Sequence, residues 1–180
     1  VNFRLDNGFR RHRFGLTFDP PAGSASAVDI RGDLHGSNLA DLASWHGEVY
    51  AKVDAVDLAV WRTWIHYPIE LPQGRGALRF WLEFADAHAT GLTADVALSD
   101  TRIRLAQHLP LLDLERIHGR VEGRLLDNGF SAATTRLSLA TRDGLQLQPV
   151  DIKFRREGHE GEFDANVIDL STLNRLAAYL

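Results

Sequence analysis

The sequence contains no cysteine, which removes disulfides, thiolate zinc sites, iron–sulfur clusters and a cysteine nucleophile together. Methionine is absent too. No apolar run approaches the roughly 18 residues that mark a membrane-crossing helix, and Val1 opens the chain without a signal-peptide pattern. It therefore reads as an internal segment or processed product of a longer protein. A basic excess is also missing: 20 Lys and Arg against 24 Asp and Glu leave a net charge of -4, so nucleic acid is not an expected partner. What is present, 44% hydrophobic and 24% charged residues over 180 positions, suffices for one globular unit with a core of its own.

Strict alternation is the dominant pattern, and it predicts half-buried strands. Phe14, Leu16 and Phe18 alternate with Arg13, Gly15 and Thr17, and Leu78, Phe80, Leu82 and Phe84 alternate with Arg79, Trp81 and Glu83. The same period runs through Leu92 to Leu98, through Ile117, Val121 and Leu125, and through Leu137 to Leu147. Asn7-Gly8, Asn128-Gly129 and Asp143-Gly144 supply hairpin turns. Stretches 19–26 and 68–76, broken by Pro20, Pro21, Pro72, Gly74 and Gly76, read as loops. Short helices are expected after Asp57, Asp113 and Asp169, three Asp-Leu pairs spaced 56 residues apart. Leu5-Asp6-Asn7-Gly8-Phe9 recurs near 125–130, Val28-Asp29-Ile30 as Val150-Asp151-Ile152, and Gly47-Glu48-Val49 as Gly161-Glu162-Phe163. These matches suggest quasi-repeats 1–65 and 119–180 flanking a middle β segment, 66–118, within a single unit spanning 1–180.

Catalytic and cofactor signatures are weak. The eight histidines are scattered, without a HExxH pair or two histidines at helical spacing. Ser24 and Ser26 lack the flanking glycines of a nucleophile elbow, and Gly74-Arg75-Gly76 lacks the rest of a dinucleotide fingerprint. No cofactor and no metal are expected. Asp54 with Asp57, or Asp95 with Asp100, read as polar-face and turn residues more readily than as a glycosidase pair. Trp45, Trp61, Trp64 and Trp81 read as sheet-end packing before they read as a sugar platform. The apolar face that all the strands share is the remaining feature. It is either the closed core of a β-sandwich or barrel, or the lining of a curved sheet left open to acyl chains.

The run Gly74 to Phe84, then Thr93 to Leu98, Leu109 to Leu114, Thr135 to Thr141 with Asp143-Gly144-Leu145, and Asp169-Leu170 to Leu180 resembles the YhdP family of AsmA-like, bridge-like lipid transfer proteins. The resemblance covers roughly residues 45–180. It implies an all-β fold, a repetitive, strongly curved antiparallel sheet forming an open groove or half-barrel with short helices at its margins. It further implies a non-catalytic, periplasmic segment of an inner-membrane-anchored protein, its anchor lying outside this segment, that conducts phospholipid between inner and outer membranes. Its partners would be phospholipid acyl chains, adjoining segments of the same chain and other envelope proteins. On this reading Leu78, Phe80, Leu82, Phe84, Leu92, Val96, Leu98, Ile103, Leu105, Val121, Leu125, Leu137, Leu139, Leu147, Ile152 and Phe154 line the groove, while Arg79, Glu83, Arg120, Glu122 and Arg124 face water. The alternatives are a structural or protein-interaction module with a closed core and, more distantly, a carbohydrate-active enzyme.

Overall fold

The computed structural model describes residues 1–36, 44–62, 70–104, 106–167 and 169–179. Alternating sequence becomes strand wherever both faces can be served, and ten strands form: β1 (Asn2–Asn7), β2 (Arg11–Phe18), β3 (Val28–His35), β4 (His46–Asp57), β5 (Glu70–Ala85), β6 (His88–Arg104), β7 (Leu112–Leu126), β8 (Gly129–Thr141), β9 (Gln146–Glu157) and β10 (Glu160–Ala165). They make one curved antiparallel sheet that does not close into a barrel, each strand paired only with its neighbours in sequence. No second sheet covers it among the described residues, so the sandwich alternative does not apply.

Two short helices lie at one margin of the sheet. In α1 (Leu58–Trp61) the Asp57 carboxylate accepts from the Ala59 and Val60 amides, and α2 (Leu170–Leu176) is followed by a 3-10 turn at Ala177–Tyr179. Asp169 caps α2 by accepting from the Ser171 and Thr172 amides at 3.0 and 3.3 Å. The expected extension of the first helix to Ile65, with Trp64, lies outside the described residues, as does Leu180. The helix expected after Asp113 does not form. Asp113 sits in β7 opposite Arg102 and accepts from both Arg102 and Arg142, while Leu112 and Leu114 enter a core. Alternation flanking the aspartate prevailed over its capping propensity.

The helices close that margin. Leu58 of α1 packs with Val28, Val53, Val56 and Leu71, and Leu176 of α2 packs with Leu114, Leu139 and Leu145. Ile103 touches both clusters. Beside the first cluster, the 19–27 loop fastens a bulge in β4. The Ser26 hydroxyl accepts from the Asp54 and Ala55 amides at 3.2 and 3.0 Å, and the Asp57 amide donates to the Ser24 carbonyl at 2.8 Å. Both serines are thus structural.

Three local expectations need correction. The stretch 70–76 is strand, not loop: β5 runs through Pro72, Gly74 and Gly76, and register irregularities absorb the missing donor. At the β7–β8 turn the two linking residues are Asp127 and Asn128, with Gly129 already paired in β8. Asn7 is likewise paired in β1, and the turn that follows is Gly8–Arg10, closed by the Gly8 amide on the Arg11 carbonyl at 2.8 Å. The Asp143-Gly144 turn is present, with φ +86° at Gly144. A turn with no glycine, Asp86-Ala87, takes φ of 52° and 61°; its sequence carries no turn signature.

Candidate functional site

Directly opposed residues of an antiparallel ladder project to the same face, so the registers can be followed from edge to edge. One transverse row is Leu5, Phe14, Gly32, Val49, Leu82, Leu92, Gly123, Ala132, Phe154 and Phe163. The next is Phe3, Leu16, Ile30, Ala51, Phe80, Ala94, Val121, Thr134, Ile152 and Ala165. Nearer the helices follow Phe18, Val28, Val53, Leu78 and Val96, then Leu98, Ile117, Leu139 and Leu147. Strands about 4.8 Å apart make this band about 43 Å long, perpendicular to the strands.

Every described residue expected to line a groove stands on this face, Phe84 towards its far margin and Ile103 beside the helices. Leu105 lies outside the described residues. Exposure is graded along the strands. At the helix margin Leu114 is 2% exposed and Leu139 9%; away from it Phe80 reaches 38%, Leu92 46% and Leu125 63%. Among the described residues, the helices cover one end of the apolar face and the other is the more exposed. On the β2–β4 side, the uncovered end carries buried Trp45, stacked on His12 with ring centroids 4.8 Å apart.

The groove-lining set that the resemblance implied also left out members of the row. Phe3, Leu5, Phe14, Leu16 and Phe18 of β1 and β2 and Phe130 and Phe163 further on share the face. Phe14, Leu16 and Phe18 were legible in the alternation itself; β1 and β2 precede residue 45, from which the resemblance was traced, and Phe130 and Phe163 fall between the runs that carried it.

The opposite face is a lattice of charge. Arg13 meets Asp6 at 2.7 Å, Arg11 meets Asp33 at 2.5 Å, Arg120 meets Asp95 at 2.6 Å and Arg124 meets Glu83 at 2.8 Å. Arg31 lies 6.0 Å from the Tyr50 ring centre, Tyr50 tilts against Trp81, and Arg120 lies 5.5 Å from Trp81. The hydrogen bond from Arg11 holds the Asp33 carboxyl below its ordinary range, and that from Arg120 does the same for Asp95. Arg79, Glu83, Arg120, Glu122 and Arg124 all stand here. A hollow of about 740 Å3 over this face is lined by Arg4, Asp6, Arg13, Asp33, Tyr50 and Trp81 among others; its Arg13 and Asp6 already satisfy each other. The carboxylates considered as acid–base pairs are occupied as well: Asp54 by Lys52, Asp57 by the α1 cap and Arg75, Asp95 by Arg120, and Asp100 by Arg142.

A single open antiparallel sheet, charged on one face and apolar on the other, with helices over one margin only among the described residues, defines an all-β protein of the open, groove-like class. The YhdP protein family model matches residues 1–180, and the chain belongs to that family. The match extends the resemblance to β1 through β3. YhdP-family members are non-enzymatic envelope proteins of lipid-transport character. No match was found among curated proteins or among solved structures. Among the described residues, no helix is long and apolar enough to cross a membrane.

Proposed function

We propose that this chain is a segment of a periplasmic lipid-conducting groove, with the apolar face as its concave lining, that carries phospholipid between the inner and outer membranes. The observation that carries the reading is the uninterrupted apolar band from edge strand β1 to edge strand β10. Acyl chains resting on it leave water at roughly 0.8 kcal/mol per methylene buried, while the polar headgroup stays at the uncovered margin. One monolayer of hydrocarbon is about 15 Å thick, half the bilayer core, so a band of about 43 Å holds more than one chain along its length. The sheet has unpaired edges at β1 and β10, which suit continuation into adjoining segments of the same protein. The anchor in the inner membrane, and any envelope partners, belong to other parts of the assembly.

The test is site-specific photo-crosslinking in living Gram-negative cells, in the full-length protein, with mass spectrometry of the adducts. Probes at Phe80 and Phe154 are expected to capture phospholipid, and a probe at Arg120 on the charged face is not. A folded, expressed protein that gives no lipid adduct at either Phe would instead support a structural or protein-interaction module.

A further inference from the structure

We infer that Arg156 holds the phosphate of the lipid occupying this face, an inference that rests on the lipid-conducting reading above. Following the registers, Arg156 is the one Lys, Arg, Asp or Glu among the regularly paired residues of the apolar face. It belongs to the outermost row, with Leu125, Phe130 and Gly161, at the margin away from the helices. The Phe130 ring packs against Phe154 one step further in, centroids 5.5 Å apart.

The contrast with the other face gives Arg156 its meaning. There, arginines such as Arg13, Arg120 and Arg124 have a carboxylate within hydrogen-bonding distance, whereas the Arg156 side chain has no hydrogen-bond or ion-pair partner among the described residues. Neighbouring Arg155 projects to the charged face and is taken by Glu157 at 2.7 Å. An exposed arginine in register between Phe130 and Gly161, two residues along the strand from Phe154, is arranged for an amphiphile. Its planar fork matches two oxygens of a phosphodiester. Space exists beside it, where a Cβ built at Gly161, directly opposite, meets nothing within 4 Å, and again two strands across and one row further in, where one at Gly123 meets nothing either. The phosphate would sit beside Gly161 and the acyl chains would run inward over Gly123 and Ala132.

The experiment uses the full-length protein in cells labelled with radioactive phosphate, with photo-crosslinkers at Leu125 and, separately, at Phe80. Arg156→Gln is expected to lower the labelled adduct at Leu125 about fivefold, the loss of one charge-assisted contact. Arg156→Glu lowers it further and Arg156→Lys restores most of it, while the Phe80 adduct stays within about twofold in every variant. An unchanged Leu125 adduct in Arg156→Gln, with Phe80 still labelled, overturns the role of Arg156 and leaves the groove intact. Loss of the Phe80 adduct in the parent protein overturns the groove itself. To separate a headgroup from a free anion, protection of Leu125 in the purified protein is compared between phosphatidylglycerol vesicles and inorganic phosphate. Protection by vesicles alone supports the inference, and equal protection by inorganic phosphate overturns it.

Discussion

At the scale of single residues, two glycines on the apolar face do opposite things. Gly76 has φ +149°, and a Cβ there would lie 2.0 Å from the Ala97 carbonyl oxygen, a backbone atom of the neighbouring strand. Gly123 has open space where its Cβ would be. Gly76→Ala is therefore expected to cost about 3 kcal/mol through backbone strain and loss of pairing. Gly123→Ala is expected to leave stability unchanged or raise it by about 0.5 kcal/mol. Chemical denaturation of the two variants checks both; equal effects would mean that β5 and β6 do not approach as closely as the register requires. Neither role was readable beforehand: Gly76 read as a break that ends a loop, and Gly123 fell within the alternation of Val121 and Leu125 with nothing to mark the space above it. Arg156 left a faint trace: it falls where the alternation Ile152, Phe154 calls for a third apolar residue, and the departure marks the margin.

At the scale of elements, strands were legible and their ends were not. Phe80 among its neighbours could only be strand, because no helix sets apolar residues on one face at a spacing of two. The start of β5 was hidden, since Pro72 and two glycines read as breaks and only the pairing with β6 shows that bulges accommodate them. Asp57 and Asp169 announced helices correctly and Asp113 did not, because the same Asp-Leu pair fits a cap or a strand and only tertiary packing decides. The cap of α2 has a pH signature. Hydrogen bonds from Thr172 and Ser171 pull the Asp169 carboxyl down to about 2, from an ordinary value of 3.8. A depressed pKa contributes stability that is fully present above the ordinary value and is lost as pH falls through the folded one. The α2 segment is thus expected to loosen between pH 3.8 and about 2, and Asp169→Ala to remove that transition. Amide shifts of Thr172 and Leu176 followed by acid titration check this; an identical titration in the variant would mean that another group governs the helix.

At the scale of the whole molecule, alternation established that one face is apolar but could not say what covers it. A second sheet, helices or nothing would produce the same strands, and here helices cover one margin only. The meander topology predicts how stability is distributed. Interior strands β5, β6 and β7 are long and paired on both sides, whereas every residue of edge strand β1 is exposed and β10 is nearly so. Amide hydrogen exchange is expected to be slowest in β6 and fastest in β1 and β10, in a graded order across the sheet. Protection of β1 equal to that of β6 would show that its edge is covered by another part of the protein.

The orientation of the apolar band carries a dynamic consequence. Because it lies across the strands, an acyl chain moving along it as proposed would travel at right angles to the polypeptide and cross one peptide ladder about every 4.8 Å. Within the inner rows each step exchanges one set of side chains for a similar set, Phe and Leu raising the floor and Gly and Ala lowering it, so the energy of the acyl chain along the path is a shallow ripple, and the one charged contact, at Arg156, lies at the margin. On the lipid-conducting reading proposed above, such a surface would act as a track, with net movement a one-dimensional random walk whose direction comes from whatever loads and empties its two ends.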